Sequence, residues 1–355
     1  MGSSLNKGRG TPAAITGKPT MRMVASRVNL SLSTVSLALR GSETIPKATR
    51  ERVLAAARDL NYAPTSRQHS EIRAEVRQIV FVMADNGNIP VTANPFFGEV
   101  LHGVEAACRT YDINLIFRTL PFPTPSTEPL LSSLQKLAYN GLLLAGPFQS
   151  AIVEQIANAI HGPLVLIDNL LPAIPYDAVV TDDVGGGYLA TQHLLALGHQ
   201  RIAAVVGETA RSSYMERYRG YLIACAEAGI TPSEPIMCGF HREQVYEVFR
   251  HLLAAPEPPT AFFCVNDSYA IYGIEALGEY GYHVPADISV VGFDNLAQVE
   301  LASVPLTTVQ NLPRMLGQVG LQRLLARLDG DHSPRQSVAL RTELVLRAST
   351  APYHA

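Results

Sequence analysis

From Gln78 onward the chain alternates short apolar runs with amphipathic segments, a rhythm that narrows the available folds more than any other feature of its 355 residues. Ile79–Met83, Asn114–Phe117, Leu142–Leu144, Leu164–Ile167, Ile202–Val206, Ala261–Val265 and Val290–Phe293 are too short for helices and rich in branched and aromatic residues, so they read as buried strands. Between them, Phe96–Tyr111, Gly187–Leu197, Tyr214–Ala228 and Ser268–Tyr280 carry helical spacing. Such repetition calls for right-handed crossovers and mainly parallel sheets with helices on both faces. The strands outnumber one compact sheet, so two lobes are expected, with a ligand crevice beyond the carboxyl ends of the strands.

Residues 20–64 are built differently. Thr20 stands where an N-cap accepts a backbone N–H, and Met21, Val24, Ala25 and Val28 follow as the apolar stripe of a short helix. Asn29 tolerates a left-handed turn and Ser31 can cap a second helix. Val35, Ala38 and Leu39 form the buried side of that helix, while Ser33, Thr34, Ser36 and Leu37 face outward. Gly41 ends it, and Val53, Leu54, Ala57 and Leu60 make the stripe of a third. This is the pattern of a helix-turn-helix, and charge separates it from a mere packing cap. Residues 1–78 hold 13 Lys and Arg against 5 Asp and Glu, and the remainder 15 against 26, so the net charge of −3 conceals a basic head on an acidic body. Such a head suits phosphate contact and counterion release, making duplex DNA the expected partner.

Ser33-Thr34-Val35-Ser36 with Leu39 and Gly41, then Thr49–Val53, then Asn61-Tyr62 with Pro64, resemble the lac repressor (LacI/GalR) family of bacterial transcription regulators. The likeness continues through Asn94–Phe97, Gly198-His199 with Arg201-Ile202, Arg217 with Gly220-Tyr221, Asn266-Asp267, Val290–Asp294 and Pro305–Val309. It implies an N-terminal all-α helix-turn-helix domain over 20–64 and a hinge at 65–78, while residues 1–19, rich in Gly, Ser, Thr and Lys, read by composition as a disordered tail. An α/β two-lobed core like a periplasmic sugar-binding protein would then fill 79–350. By the same resemblance the chain crosses between lobes near residues 181, 308 and 335, giving one lobe from 79–180 and 309–335 and another from 181–307 and 336–350. The family's behaviour implies a cytoplasmic homodimeric repressor without a cofactor, whose affinity for a pseudo-palindromic operator is switched by a small effector, a sugar or sugar derivative.

The candidate effector residues sit at strand ends. Asp168, Asn266-Asp267 and Asp294 each follow an apolar strand, which brings carboxylates and an amide to one crevice. Ionised carboxylates accept from vicinal hydroxyls, Arg217 supplies a planar fork of donors, and Phe96 or Phe97 an apolar wall, in outline a polyol site. In the family, the positions matching Asp168, Arg217, Asn266 and Asp294 commonly line the effector pocket; Arg211 and Ser213, on the loop before the helix of Arg217, are expected here as second contacts. Structural roles compete with these. Asp267 ahead of Ser268 can serve only as a helix cap, and Arg217 can pair with Glu216 or Glu227 on a solvated face. His199 reads as a loop-fixing residue, and Asp182-Asp183 with Gly185–Gly187 as a helix-opening turn rather than a metal or phosphate site.

On the head, the candidate DNA contacts are Thr20, Ser31, Leu32, Ser33, Thr34, Ser36, Leu37, Arg40 and Thr49. Ser33 and Thr34 suit base edges, Leu32 or Leu37 thymine methyl groups, and Arg40 phosphate. Leu37 departs from the family, in which many relatives carry an Arg for guanine. The hinge departs further: Gln68 and Glu71 fill the slots of a usual Ala and a minor-groove Leu. A carboxylate cannot wedge between base pairs. Either Ile72 inserts from one residue further on, or the protein bends DNA less, or 67–77 is a flexible linker.

Other classes fit poorly. The chain has no apolar run of membrane-spanning length, and its first residues lack a hydrophobic signal region, so a soluble, unexported protein is expected. Cys108, Cys225, Cys238 and Cys264 lack metal-ligand spacing and read as buried reduced thiols. A transporter's solute-binding component would share the two-lobed core but have no use for residues 20–64. An enzyme on this scaffold would show a Gly-x-Ser-x-Gly elbow, a phosphate loop or His-Glu-x-x-His, none of which occurs. No leucine repeat follows Arg347, which favours a dimer over a tetramer.

Overall fold

The computed structural model describes residues 21–31, 34–35, 38, 45–60, 78–85, 87, 94–171, 175–207 and 212–354. The chain divides into two compact units, Met1–Glu75 and Val76–Ala355. In the first, α1 (Met21–Val28) and α2 (Lys47–Asp59) join Val35 and Ala38 in a core of Val24, Ala25, Val28, Val53, Ala56 and Ala57. Thr34, Val35 and Ala38 are helical. Ser31 caps that helix: its Oγ accepts the Thr34 N–H at 3.1 Å and its carbonyl the Val35 N–H at 3.0 Å. Asn29 takes the left-handed turn, with φ of 54°. Arg52 Nη2 donates to the Val28 carbonyl at 3.2 Å, tying α2 to the end of α1. Leu54, expected in the buried stripe, is 37% exposed and Ala56 is buried instead, because the face turned inward is narrower and lies a step round the helix.

The second unit contains two sheets. The first comprises β1 (Gln78–Asp85), β2 (Asn114–Pro121), β3 (Gly141–Ala145), β4 (Leu164–Ile167), β5 (Asp177–Thr181) and β10 (Ser337–Leu340), in the order β10-β5-β4-β3-β1-β2. All its pairings are parallel. Helices α3 (Pro95–Thr110), α4 (Glu128–Leu134), α5 (Ser150–Ala159) and α10 (Pro313–Leu328) accompany it. Ile79, Phe81 and Met83 of β1 join one core and Val80 and Val82 another. A strand covered on both faces is apolar at every position, which is why this run lacks alternation.

The second sheet comprises β6 (Ile202–Val205), β7 (Ala261–Cys264), β8 (Ser289–Asp294), β9 (Thr307–Gln310) and β11 (Glu343–Val345), in the order β11-β9-β8-β7-β6. Only β11 runs antiparallel to its neighbour. Its helices are α6 (Asp183–Ala196), α7 (Ser212–Glu227), α8 (Arg242–Leu253) and α9 (Asp267–Glu279). The mainly parallel two-lobed architecture expected from the sequence is present.

One boundary moves. The third crossing, expected near residue 335, comes after β10, which pairs with β5 from Ser337 opposite Ala178 to Leu340 opposite Thr181. Residues 336–340 therefore belong to the first lobe. A short edge strand, exposed at Ser337 and Ala339, offers only the three apolar residues Val338–Leu340 to mark it. Its start is tied to β5 by Asp177, fully buried there, which accepts the Gln336 N–H at 2.9 Å and also pairs with α10 through Arg327 at 2.6 and 3.0 Å and Arg323 at 3.1 Å. Burial pushes its carboxyl upward, but Arg327 and the Gln336 amide prevail and hold it at about 2.

Helices α6 and α7 touch backbone to backbone. A Cβ on Gly187 would collide with the Arg217 carbonyl oxygen, and one on Gly220 with the Val184 carbonyl oxygen. Gly187 and Gly220 thus let α7 come close, while Asp182 opens α6 by accepting the Gly185 N–H at 3.0 Å.

Candidate functional site

A cleft of about 290 Å³ lies between the lobes, lined by Phe96, Phe97 and Asp168 from the first and Ser213, Arg217, Asn266 and Asp294 from the second. Asn94 sets the aromatic wall: its Oδ1 accepts the Phe96 and Phe97 N–H groups, both at 3.1 Å, at the start of α3. The two rings meet edge to face with centroids 5.2 Å apart. Asp168 and Asp294, at the ends of β4 and β8, have φ of 54° and 115°. Non-glycine residues enter that region at an energetic cost, and such outliers concentrate at binding sites.

Arg217 is buried in this wall, only 2% exposed. Its Nε donates to Asp183 Oδ1 at 2.8 Å, and its Nη1 donates to the Val265 carbonyl at 2.6 Å and lies 3.1 Å from Asp294 Oδ1. The guanidinium carbon stands 3.7 Å from the centroid of the Phe293 ring. Burial opposes its charge, but Asp294 and Asp183 outweigh burial and hold it protonated. The solvated pairing with Glu216 or Glu227 does not form: Arg219 takes Glu216, and Tyr188 donates to Glu227. Asp183, buried by the close approach of α6 and α7, has its carboxyl raised to about 7 by burial, against the pull of Arg217. Nothing in local spacing marks Asp183 as the partner of a residue 34 positions away.

Asn266 lines the cleft with its amide engaged: Nδ2 donates to the Tyr214 hydroxyl at 2.8 Å, and Oδ1 caps α9 by accepting the Tyr269 N–H at 2.9 Å. Asp267 is fully buried and does not line the cleft. It accepts the Leu296 N–H at 2.8 Å and faces the Thr308 hydroxyl at 2.5 Å. Burial and then Asp294 raise its carboxyl to about 8. His199 is buried as a fastener, with Nδ1 3.0 Å from Thr260 Oγ1 and Nε2 3.0 Å from Ser289 Oγ. Arg211 lies outside the described residues.

Tyr214, Phe240, His241 and Tyr272 also line the cleft, and sequence reading missed them. Tyr214 lies one helical turn before Arg217, so helical period from that candidate finds it, whereas Tyr272 lies one turn beyond Ser268, a lining residue the sequence reading did not name. Phe240 and His241 precede α8 in a loop and carry no such signal. No group of three or more His, Cys, Asp or Glu among the described residues can hold a metal ion, and all four cysteines are buried without a disulfide.

On the head, Ser31 is exposed with its hydroxyl capping the second helix, and Thr34 and Thr49 are half-buried. Thr20, Leu32, Ser33, Ser36, Leu37, Arg40 and the hinge residues Gln68, Glu71 and Ile72 lie outside the described residues. No described helix is long and apolar enough to cross a membrane.

Comparison with known proteins agrees with this architecture. Residues 20–65 match the model of bacterial regulatory proteins of the lacI family, and residues 191–350 a periplasmic binding protein-like domain. Over 334 residues the chain is 32% identical to the HTH-type transcriptional repressor PurR of Photobacterium profundum, covering 93% of this chain and 98% of that protein. It is 31% identical over 332 residues to the ribose operon repressor of Haemophilus influenzae, covering 93% and 98%. Among solved structures, the transcriptional regulator CelR in complex with cellobiose superposes with a TM-score of 0.70 at 28% identity, covering 93% of this chain and 99% of that one. With a basic helix-turn-helix head and a cleft between two mainly parallel sheets, the chain belongs to the lacI family of bacterial regulatory proteins, the DNA-binding transcriptional regulators.

Proposed function

We propose that the protein is a ligand-switched repressor: two heads of a homodimer bind the half-sites of a pseudo-palindromic operator, and a sugar or sugar derivative occupies the cleft of each core. The observation that carries the effector half is that Asp168 and Asp294, from different sheets, flank one crevice with a Phe96–Phe97 wall. Carboxylates accept from vicinal hydroxyls while an aromatic ring covers an apolar sugar face. A ligand touching both lobes biases their relative angle, and a coupling of about 1–3 kcal/mol would change operator affinity by roughly 5- to 150-fold. The cellobiose complex of CelR supports this ligand class.

On the head, Ser33, Thr34, Ser36 and Leu37 read bases, with Thr20, Ser31, Leu32, Arg40 and Thr49 as further contacts and Ile72 as the hinge's minor-groove candidate. Chromosomal DNA as partner implies the cytoplasm, and the cleft serves binding without turnover. The test combines selection from a randomised duplex pool with operator titration across salt. A preferred palindromic site and an affinity that falls steeply with salt are expected. No preferred sequence, or a flat salt response, would overturn the DNA half.

A further inference from the structure

The chain passes between the lobes three times, between β5 and α6, between β9 and α10, and between β10 and β11. Asn311, on the second crossing, is 1% exposed and does not line the cleft, yet its side chain is bonded at both ends. Its Oδ1 accepts the Thr181 hydroxyl at 2.7 Å and the Leu312 N–H at 2.8 Å, and its Nδ2 donates to Asp294 Oδ1 at 3.2 Å. The Leu312 N–H can only donate, which fixes the end of the amide that is oxygen. The Asn311 N–H also donates to the Asp294 carbonyl, at 3.3 Å.

Thr181 ends β5 at the first crossing, and Asp183, at the start of α6, takes Arg217. Arg217 Nη1 in turn lies 3.1 Å from the same Asp294 Oδ1 that Asn311 holds. The contacts run from Thr181 through Asn311, Asp294 and Arg217 to Asp183, so the ring leaves the first crossing and returns to it. Arg217 anchors Asp294 within the second lobe, whereas Asn311 reaches a strand of the first. The third crossing joins the first through the Asp182 N–H, which donates to the Leu340 carbonyl at 2.8 Å. We propose, resting on the ligand-switched reading above, that Asn311 is a positioning residue: it ties the cleft residue Asp294 to the first interlobe crossing and so sets the lobe angle on which the switch depends.

A pivot of the lobes is absorbed as backbone rotation at a few residues between them. Rotation at Asn311 swings its amide, and a hydrogen bond is lost beyond about 3.5 Å or below about 120°. Thr181 and Asp294 belong to different sheets, so one amide cannot keep both partners at every angle. A hydrogen bond made at one angle and broken at another favours the first by about 2- to 12-fold. A ligand that bonds Asp294 competes with Asn311 for it, so occupancy of the cleft is felt at the crossing.

The experiment measures the interlobe distance in the full-length protein by electron–electron double resonance. Spin labels go on Glu154→Cys of α5 and Glu243→Cys of α8, both exposed positions, and the four native cysteines are buried. A large excess of unlabelled chain keeps pairs between protomers rare. Without ligand, Thr181→Val and Asn311→Ala should each shift the balance of lobe angles by about 2- to 12-fold, and the two together no further than Asn311→Ala alone. Thr181→Ser, which keeps the hydroxyl, should match the protein with Thr181 intact. A distance distribution unchanged in both Thr181→Val and Asn311→Ala, whatever the melting temperature does, leaves Asn311 a structural role alone and overturns the proposal. A shift in Thr181→Ser as large as in Thr181→Val does the same. D-Ribose, cellobiose and hypoxanthine, added with Thr181 and Asn311 intact, test the effector reading separately. Movement with hypoxanthine alone overturns the sugar class, and movement with none counts against the switch, while the ligand-free result still decides the role of Asn311.

Discussion

Replacing Arg217 with Ala tests the center of the site. The substitution removes a buried guanidinium that bridges Asp183 at 2.8 Å and Asp294 at 3.1 Å and covers the Phe293 ring at 3.7 Å. Breaking a buried pair by deleting one partner costs about 3–5 kcal/mol, because the other charge stays buried without compensation. Here the cost falls toward the lower end, since Asp183, raised to about 7, relieves itself by taking up a proton. That escape fixes the pH dependence. Below about pH 7 the native carboxyl is already protonated, so the pair contributes less and the loss is smaller. Above it, the wild type gains the ionised pair while the variant must hold a neutral acid against the solvent, so the penalty grows. Taking about 3 kcal/mol and about 2–4 °C per kcal/mol, the melting temperature of the core should drop by roughly 6–12 °C at pH 8 and by less at pH 6. Thermal melts at both pH values read this directly, and fluorescence anisotropy on an operator reads the head. Operator binding should persist while the effector response is lost. A variant that melts like wild type at pH 8, or still releases or tightens with effector, would refute the assignment of Arg217 as anchor.

Asp267→Asn should stabilise the core with rising pH. A carboxyl raised to about 8 in the native state makes the wild type lose stability as pH climbs from about 4 to about 8. The amide, which can still accept from Leu296 N–H and donate to Thr308, avoids this, so its advantage should grow by at most about 1.4 kcal/mol per pH unit and level off above about pH 8. A melting difference independent of pH would contradict it. Gly187→Ala should lower the melting temperature by forcing α7 off α6, with overpacking of about 1–3 kcal/mol, and should weaken any cleft ligand through the displaced Arg217. Unchanged melting would mean that the two helices are not in backbone contact.

Much of the molecule was legible residue by residue. The β/α rhythm located seven strands of the core, and the head's second helix was readable from Ser31, which does cap it. The strand-end residues Asp168, Asn266 and Asp294 line one cleft with Phe96, Phe97, Ser213 and Arg217. The strands and the cap follow from short-range order, since periodicity and caps are written within a few residues of one another, whereas the meeting of these side chains in one cleft was expected from the resemblance to the family.

What local order does not contain is who meets whom across the fold. Asp183 became the partner of Arg217 only because glycines at 187 and 220 let α6 and α7 touch, and Asp267 turned toward Thr308 and the Leu296 amide rather than into the cleft. Ser337–Leu340 joined the first sheet through β5 and the Gln336 N–H held by Asp177, moving the third crossing. Neighbours along the chain already specify the two kinds of unit, the alternation of strand and helix and the residue types at the strand ends. Tertiary structure alone decided which carboxylates face the cleft, which hold Arg217 and which are buried nearly neutral, because burial and pairing depend on groups far apart along the chain.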